Sequence, residues 1–200
     1  MDILPIELLH VIASFDISAY RALLSIPFFA RSLNPIIRID YKISFGYSIK
    51  IFHDRIQWYR NGVYHREDGP AIEYSNGGKE WFHNGKYHRE DGPAIDYNMR
   101  KEWWRNGKYH RENGPAIEYP DGTKQWYLNG VLHREDGPAI ERTDGIKHWY
   151  LNGKRHRDDG PAVESTEGTK YWYRNGIFIG SDENFVVIPF IKEPIYRRNL

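Results

Sequence analysis

Between Ile37 and Ile51 every odd position is apolar or aromatic: Ile37, Ile39, Tyr41, Ile43, Phe45, Tyr47, Ile49 and Ile51. The even positions carry Arg38, Asp40, Lys42, Ser44, Gly46, Ser48 and Lys50. Only a strand has that period of two, so the segment predicts a leading strand or hairpin, with Gly46 as a bend or bulge. Upstream the period changes. Leu4, Leu8, Ile12 and Phe15 recur at helical spacing, and Leu9 widens the stripe. Asp16 suits the cap of a second helix running to about Ser25, with Tyr20, Leu23 and Leu24 turned inward. Pro27 opens a third short turn holding Phe28, Phe29 and Leu33. So few residues cannot close a core of their own, and these helices must pack on the sheet, on another protein, or on both.

Downstream of the alternating segment the pattern becomes periodic on a longer scale. Trp58, Trp81, Trp103, Trp126, Trp149 and Trp172 fall at spacings of 23, 22, 23, 23 and 23 residues. Each is followed by a second aromatic residue and, after one intervening position, by Asn-Gly, as in Trp58-Tyr59-Arg60-Asn61-Gly62. His-Arg and Gly-Pro-Ala come next, as in His65-Arg66-Glu67-Asp68-Gly69-Pro70-Ala71, and recur from His88, His110, His133 and His156. The sixth copy has Ile179-Gly180 instead. Such self-similarity marks a repeat architecture in which no single unit buries its own apolar face.

Asn-Gly between short aromatic and β-branched segments predicts a hairpin, because a type I′ turn needs positive φ at both central residues. Gln57 to Arg60 and Val63 to Arg66 are the expected arms. Glu67-Asp68-Gly69-Pro70 reads as a turn, Ala71 to Tyr74 as another short strand, and Ser75-Asn76-Gly77-Gly78 as a loop returning to the next Trp. Each repeat is thus expected to hold two or three short strands, with its Trp buried against neighbouring repeats. The chain divides into a helical segment 1–35, a leading strand or hairpin 36–57, the repeat array 58–180, and a cap and tail 181–200. In the last of these, Asn184 to Pro189 is expected to close the sheet edge. The fold class is mainly β: tandem hairpin repeats of about 23 residues behind a small N-terminal helical segment.

Composition narrows the function classes. Lys and Arg number 28 against 27 Asp and Glu, a balance that predicts no nucleic-acid partner and no electrostatic attachment to a membrane. The acidic opening Met1-Asp2 predicts no secretory signal, and the apolar run Phe185 to Ile191, broken by Pro189, is too short to cross a bilayer. With no cysteine in the chain, thiolate chemistry and disulfides are excluded, in keeping with an intracellular setting. Aromatic residues make up 16% of the chain, which the architecture has to explain.

The repeated His residues sit beside acids, yet equivalent positions two strands apart lie on the order of 10 Å from one another, too far to share an ion. A structural hydrogen bond or stacking role is therefore expected of them, and no metal or cofactor. The paired turn acids, such as Glu67-Asp68, suit loop capping and solubility better than acid–base work, which needs two unlike carboxylates in one pocket. The sequence thus predicts no enzyme. Specificity is expected where the repeats differ. The residue before Asn-Gly is Arg60, His83, Arg105, Leu128, Leu151 or Arg174, and the second residue after it is Tyr64, Tyr87, Tyr109, Leu132, Arg155 or Phe178. Arg60, Tyr64, His83, Tyr87, Arg105 and Tyr109 are the candidate target-binding residues, since Arg and aromatic side chains commonly anchor interfaces. The alternative is a solvated face on which these positions vary freely.

The Trp-Tyr-x-Asn-Gly tract of residues 58 to about 180 resembles MORN-type repeats. That resemblance implies hairpins aligned side by side into an elongated, twisted antiparallel sheet with a scaffolding and partner-binding role. Asn98-Met99-Arg100 departs from the pattern by one residue and lacks its Gly, and Asn113 replaces an Asp, so those turns are expected to differ. Leu4-Pro5-Ile6-Glu7-Leu8-Leu9-His10-Val11-Ile12 resembles the opening of an F-box, and Asp16 to Leu24 its second helix. Ile26 to Arg31 lacks that family's usual Cys and Trp. An F-box implies docking on the adaptor subunit of a cullin-type ubiquitin ligase, here through Leu4, Pro5, Leu8, Leu9, Ile12, Leu23 and Leu24, while the remainder selects an unknown target protein. A helical cap that only seals the repeat array is the alternative. F-box followed by such repeats resembles proteins of large DNA viruses of amoebae, which would place the chain in a host cytoplasm.

Overall fold

A computed structural model describes residues 39–42, 46–52 and 54–182. The expected helices of residues 1–35, with Leu4, Pro5, Leu8, Leu9, Ile12, Leu23 and Leu24, and the expected closing strand Asn184 to Pro189 lie outside these residues. The described chain is mainly β, its paired strands are antiparallel, and it divides into two compact units, Met1–Val131 and Leu132–Leu200.

The alternating segment forms a hairpin rather than one strand. Ile39–Lys42 pairs with Tyr47–Ile51, and Gly46 takes a positive φ of 77° between them. Tyr47–Ile51 in turn pairs with Arg55–Arg60 and buries Ile49 and Ile51. In the first unit the sheet then continues through Ile72–Tyr74, Lys79–Glu80, Ile95–Tyr97, Arg100–Glu102, Ile117–Glu118 and Lys124–Gln125. In the second unit the order is Ile140–Glu141, Lys147–His148, Val163–Glu164, Lys170–Arg174 and Ile177–Ser181.

This ladder differs from the one expected. Between its ends it is built from the Ile-Glu and Lys-Glu type segments, and only the first and last Asn-Gly hairpins, at Asn61-Gly62 and Asn175-Gly176, belong to it. The stretch Ser75 to Gly78 is a tight turn that delivers a strand of its own, closed by Tyr74 N–H donating to the Gly78 carbonyl at 2.8 Å. At the shortened copy a two-residue turn joins Tyr97 to Arg100, with Asn98 at φ 48° and Met99 at φ 62°. Met99 is an exposed residue with positive φ, a conformation a long side chain adopts only at a cost.

The Asn-Gly hairpins form a second row of two-residue arms: Phe82–His83 with Lys86–Tyr87, Trp104–Arg105 with Lys108–Tyr109, and Tyr150–Leu151 with Lys154–Arg155. One copy therefore contributes four short strands, two to each row. The asparagines of these turns lie at φ 49–52° and their glycines at 76–88°, the geometry of a type I′ turn. In the first copy the second arm stops short of Arg66: His65 N–H still donates to the Trp58 carbonyl across the hairpin, but Arg66 N–H donates to the Phe82 carbonyl of the next copy. Only the last hairpin, Lys170–Arg174 with Ile177–Ser181, has longer arms.

Trp marks the corner between rows. Its N–H donates to the alanine of Gly-Pro-Ala: Trp58 to Ala71, Trp81 to Ala94, Trp103 to Ala116 and Trp149 to Ala162, at 2.7–2.8 Å. These alanines are wholly buried, which leaves no room for a larger residue. Apart from Trp58, the indoles are half-buried rather than sandwiched between neighbours. An arginine covers them instead. The guanidinium carbons of Arg66, Arg89, Arg111 and Arg157 lie 4.1, 3.9, 3.7 and 4.2 Å from the centroids of Trp58, Trp81, Trp103 and Trp149. Arg66 also donates to Asp68, to the Pro70 carbonyl and, at 2.7 Å, to Glu73. Cation–π attraction and a charge-assisted fork together brace the turn against the sheet.

The glycine of Gly-Pro-Ala makes room for this brace, since a Cβ on Gly92 would lie 2.9 Å from Arg89 Cζ. Gly92→Ala is expected to displace the guanidinium from Trp81 and lower stability by about 1–3 kcal/mol, the usual cost of overpacking. A urea unfolding curve should show a lower midpoint with an unchanged slope.

Candidate functional site

From the second copy on, the Asn-Gly turn that follows each Trp is anchored on the copy before it. Asn84 N–H donates to His65 Nδ1 at 3.0 Å, and Gly85 N–H donates to the Tyr64 carbonyl at 2.8 Å. The same pair recurs as Asn106 on His88 with Gly107 on Tyr87, and as Asn129 on His110 with Gly130 on Tyr109. Within the second unit it recurs as Asn152 on His133 with Gly153 on Leu132, and as Asn175 on His156 with Gly176 on Arg155. Two successive N–H groups of the left-handed turn are thus each satisfied by the preceding copy, one by a ring nitrogen and the other by a carbonyl.

An Nδ1 that accepts leaves the proton of the neutral ring on Nε2. That nitrogen faces a carboxylate in every copy: Glu67 at 3.5 Å, Glu90 at 3.2 Å, Glu112 and Glu135 at 3.7 Å, and Asp158 at 3.4 Å. His65 is wholly buried. These histidines are thus bonded at Nδ1 in each of the five copies, while Nε2 only stands near a carboxylate, and that of His110 is buried without a hydrogen-bond partner. Among the described residues no group of three or more His, Asp or Glu is arranged to hold a metal ion.

Of the six candidate target-binding residues, the structure separates two kinds. Tyr64, Tyr87 and Tyr109 are half-buried members of an aromatic column: Tyr59, Tyr64, Phe82, Tyr87, Trp104, Tyr109, Tyr127. Consecutive ring centroids are 4.7, 5.0, 4.1, 5.3, 3.8 and 5.1 Å apart. Such pairs contribute about 0.5–1.5 kcal/mol each beyond the area they bury. These positions vary between copies yet remain inside the packing. In the second unit the same place is held by Arg155, whose guanidinium lies 5.3 Å from the Tyr173 centroid and whose Nε donates to the Tyr150 hydroxyl.

Arg60, His83 and Arg105 project outward at the hairpin surface. Arg60 donates to Glu67, and the Arg105 guanidinium stands 3.4 Å from Glu90 and 3.7 Å from Glu112, bridging two successive acid turns. His83 lies between His65 and His88, at ring-centroid distances of 4.8 and 5.7 Å. The His-Arg to Gly-Pro segment of one copy forms a groove with that of the next. One, of about 430 Å³, has Arg105 and Trp103 on its walls between the turns of Arg89 and Arg111. Another, of about 760 Å³ in the second unit, has Leu151 and Trp149 in the same roles between the turns of Arg134 and Arg157. One groove is cationic at the variable wall and the other apolar.

Two features were not foreseen from sequence. The residue before each Trp faces the column. Glu80 there accepts from the hydroxyls of Tyr74 and Tyr87, both at 2.9 Å, and buried Glu102 accepts from Trp104 Nε1. Burial, reinforced by Glu80, pushes the Tyr74 hydroxyl up to about 12 and raises that of Tyr87 further. His148 takes the equivalent place in the second unit, where burial and then the charges of Arg155 and Arg142 push its pKa down. The second concerns Asn113, where the sequence predicts a changed turn but the effect falls on the arginine brace. Arg111 keeps its bonds to Pro115 and Glu118, but the acid that Arg89, Arg134 and Arg157 bond at this position is an amide here.

The arginine hydrogen bonds hold the Asp68, Asp91, Asp136 and Asp159 carboxyls below their ordinary value of 3.8. A depressed folded-state value contributes stability that is complete above the unfolded pKa and lost as pH falls through the folded one. Thermal melts followed by circular dichroism should therefore hold their midpoint down to roughly pH 4 and drop below it. His88→Ala removes the acceptor of the Asn106 N–H and should cost about 0.5–1.5 kcal/mol in urea unfolding, whereas His83→Ala should stay within about 0.5 kcal/mol.

Comparison of the chain with protein-family models, with curated proteins and with solved structures finds no match.

Proposed function

We propose that this chain is a non-enzymatic interaction scaffold made of MORN-like hairpin repeats of about 23 residues. In this reading the F-box-like helices of residues 1–35 dock on the adaptor of a cullin-type ubiquitin ligase, and the β region holds a target protein. The observation that carries the scaffold reading is the division of labour within each copy. The groups with the most chemistry are engaged in the same way from copy to copy, His by the next turn's Asn N–H, and Arg by Trp and, except at Asn113, by Asp. What differs is the wall of the groove, Arg105 in one and Leu151 in another. A frame of fixed geometry with interchangeable wall residues suits selection of an extended partner, with Arg and aromatic side chains as anchors.

The first Asn-Gly turn bears on the role of the helices. It is already covered by residues of the leading hairpin: Asn61 N–H donates to the Gly46 carbonyl at 2.8 Å, and Arg60 lies 5.2 Å from the Tyr47 ring. At this place the row needs no helical cap, which favours an adaptor-binding role for residues 1–35 over a sealing one. Among the described residues no helix is long and apolar enough to cross a membrane. A ligase receptor works inside the cell, in a host cytoplasm if the source is viral.

Titration of the purified chain against the ligase adaptor tests this function. Saturable binding that is lost in a Leu8→Asp, Leu9→Asp double variant, with an unchanged β circular dichroism spectrum, is the expected result. A well-folded wild type that binds no adaptor would sink the receptor role and leave the scaffold alone.

A further inference from the structure

Asn-Gly is a chemically unstable dipeptide as well as a good turn. Glycine has no side chain to shield its own nitrogen, so that nitrogen can attack the asparagine carboxamide carbon. A carbon–nitrogen bond forms, the glycine amide loses its proton, and the side-chain nitrogen leaves as ammonia. Water then opens the resulting succinimide at either carbonyl, yielding aspartate or isoaspartate with no change of oxidation state.

In this fold the attacking nitrogen is already in use. The N–H groups of Gly85, Gly107, Gly130, Gly153 and Gly176 donate to the carbonyls of Tyr64, Tyr87, Tyr109, Leu132 and Arg155 of the preceding copy, at 2.8–2.9 Å. The asparagine on the other side of the bond is fixed as well, at φ 49–52°, by its own N–H to a histidine Nδ1 at 3.0–3.2 Å. Attack requires both bonds to be released and the turn to rotate. We propose that Asn84, Asn106, Asn129, Asn152 and Asn175 are latent self-modification sites, kept from deamidating by the bonds that dock each turn on its neighbour and exposed to it when that junction opens.

The event is one-way. Ammonia is lost, and isoaspartate adds a backbone atom to a two-residue loop that sets Lys86 opposite His83, or Lys108 opposite Arg105. A turn so lengthened no longer presents its N–H pair in the docking geometry, so a junction that has stood open is marked and stays weakened. Asn76-Gly77 provides an internal reference. Its Gly77 N–H donates to Tyr74 within the same turn, and so does not depend on a junction between Asn-Gly hairpins.

The test is site-resolved mass spectrometry of the full chain during incubation in mildly alkaline buffer, in native conditions and in urea. Each of the five sites should deamidate at least about tenfold more slowly in the native chain, because reaction is confined to the open fraction. In His88→Ala, the rate at Asn106 should rise by about tenfold while Asn152 and Asn76 keep their wild-type rates, as loss of one hydrogen-bond partner shifts a local opening equilibrium by that order. His133→Ala should move the response to Asn152. Equal wild-type rates in native buffer and urea would overturn the proposal, and so would a response to either variant spread evenly over all the Asn-Gly sites.

Discussion

A pair of adjacent N–H groups, those of asparagine and glycine in each tight turn, needs acceptors, and the copy before it supplies a histidine nitrogen and a carbonyl. Most of what is unusual in the chain follows from that contact. The left-handed backbone that aims both donors in one direction is open to Asn and Gly at little cost. A flat imidazole with a free lone pair fits between successive copies, and His65 is wholly enclosed there. A local hairpin becomes, through this bond, a link between copies. The donors lie on exposed residues, so each link contributes only the modest net value of a hydrogen bond, and the frame depends on its repetition from copy to copy.

The rest of the motif supports this contact from behind. With His65 held by the next turn, Arg66 is aimed back across Trp58 and forks to Asp68, Pro70 and Glu73. The glycine of Gly-Pro-Ala admits the guanidinium, and the alanine fills the small space under the Trp corner. Among the described residues stability does not come from a thick apolar core, since the two rows bury few aliphatic side chains. It comes from a column of rings and from arginines that bury their stems on indole while staying paired, a use of side chains that are apolar along their length and polar at the tip.

That arrangement also explains where selectivity can reside. Inside the column a change of residue must be answered by its neighbours. Glu80 is tolerated because two tyrosine hydroxyls reach it, and Arg155 because Tyr150 and Tyr173 flank it. On the groove wall no such answer is required, and Arg105 and Leu151 stand in equivalent places. Variation between copies therefore has two meanings, compensation within and altered contact without. Spacing along the chain does not tell them apart.

Local chemistry was legible in the sequence. Asn-Gly announces its hairpin, the alternation from Ile37 to Ile51 announces paired strands, and the recurrence of Trp announces a β-rich repeat pattern, because backbone sterics and side-chain period act over a few residues. Spacing also placed the histidines in a structural role. What remained hidden depends on partners 18 or 19 residues away, such as His88 beneath Asn106 and His65 beneath Asn84. Hidden too was which hairpin of each copy forms the ladder. The Lys-Glu strand shows no apolar alternation of its own, and becomes a strand only because Ile72 and Ile95 lie on either side of Glu80. The amino-acid sequence by itself determined the turns, the period and the inventory of rings and charges. Only the tertiary structure decided which tyrosines face inward and which arginine faces a groove, since that depends on which surfaces the neighbouring copies leave uncovered.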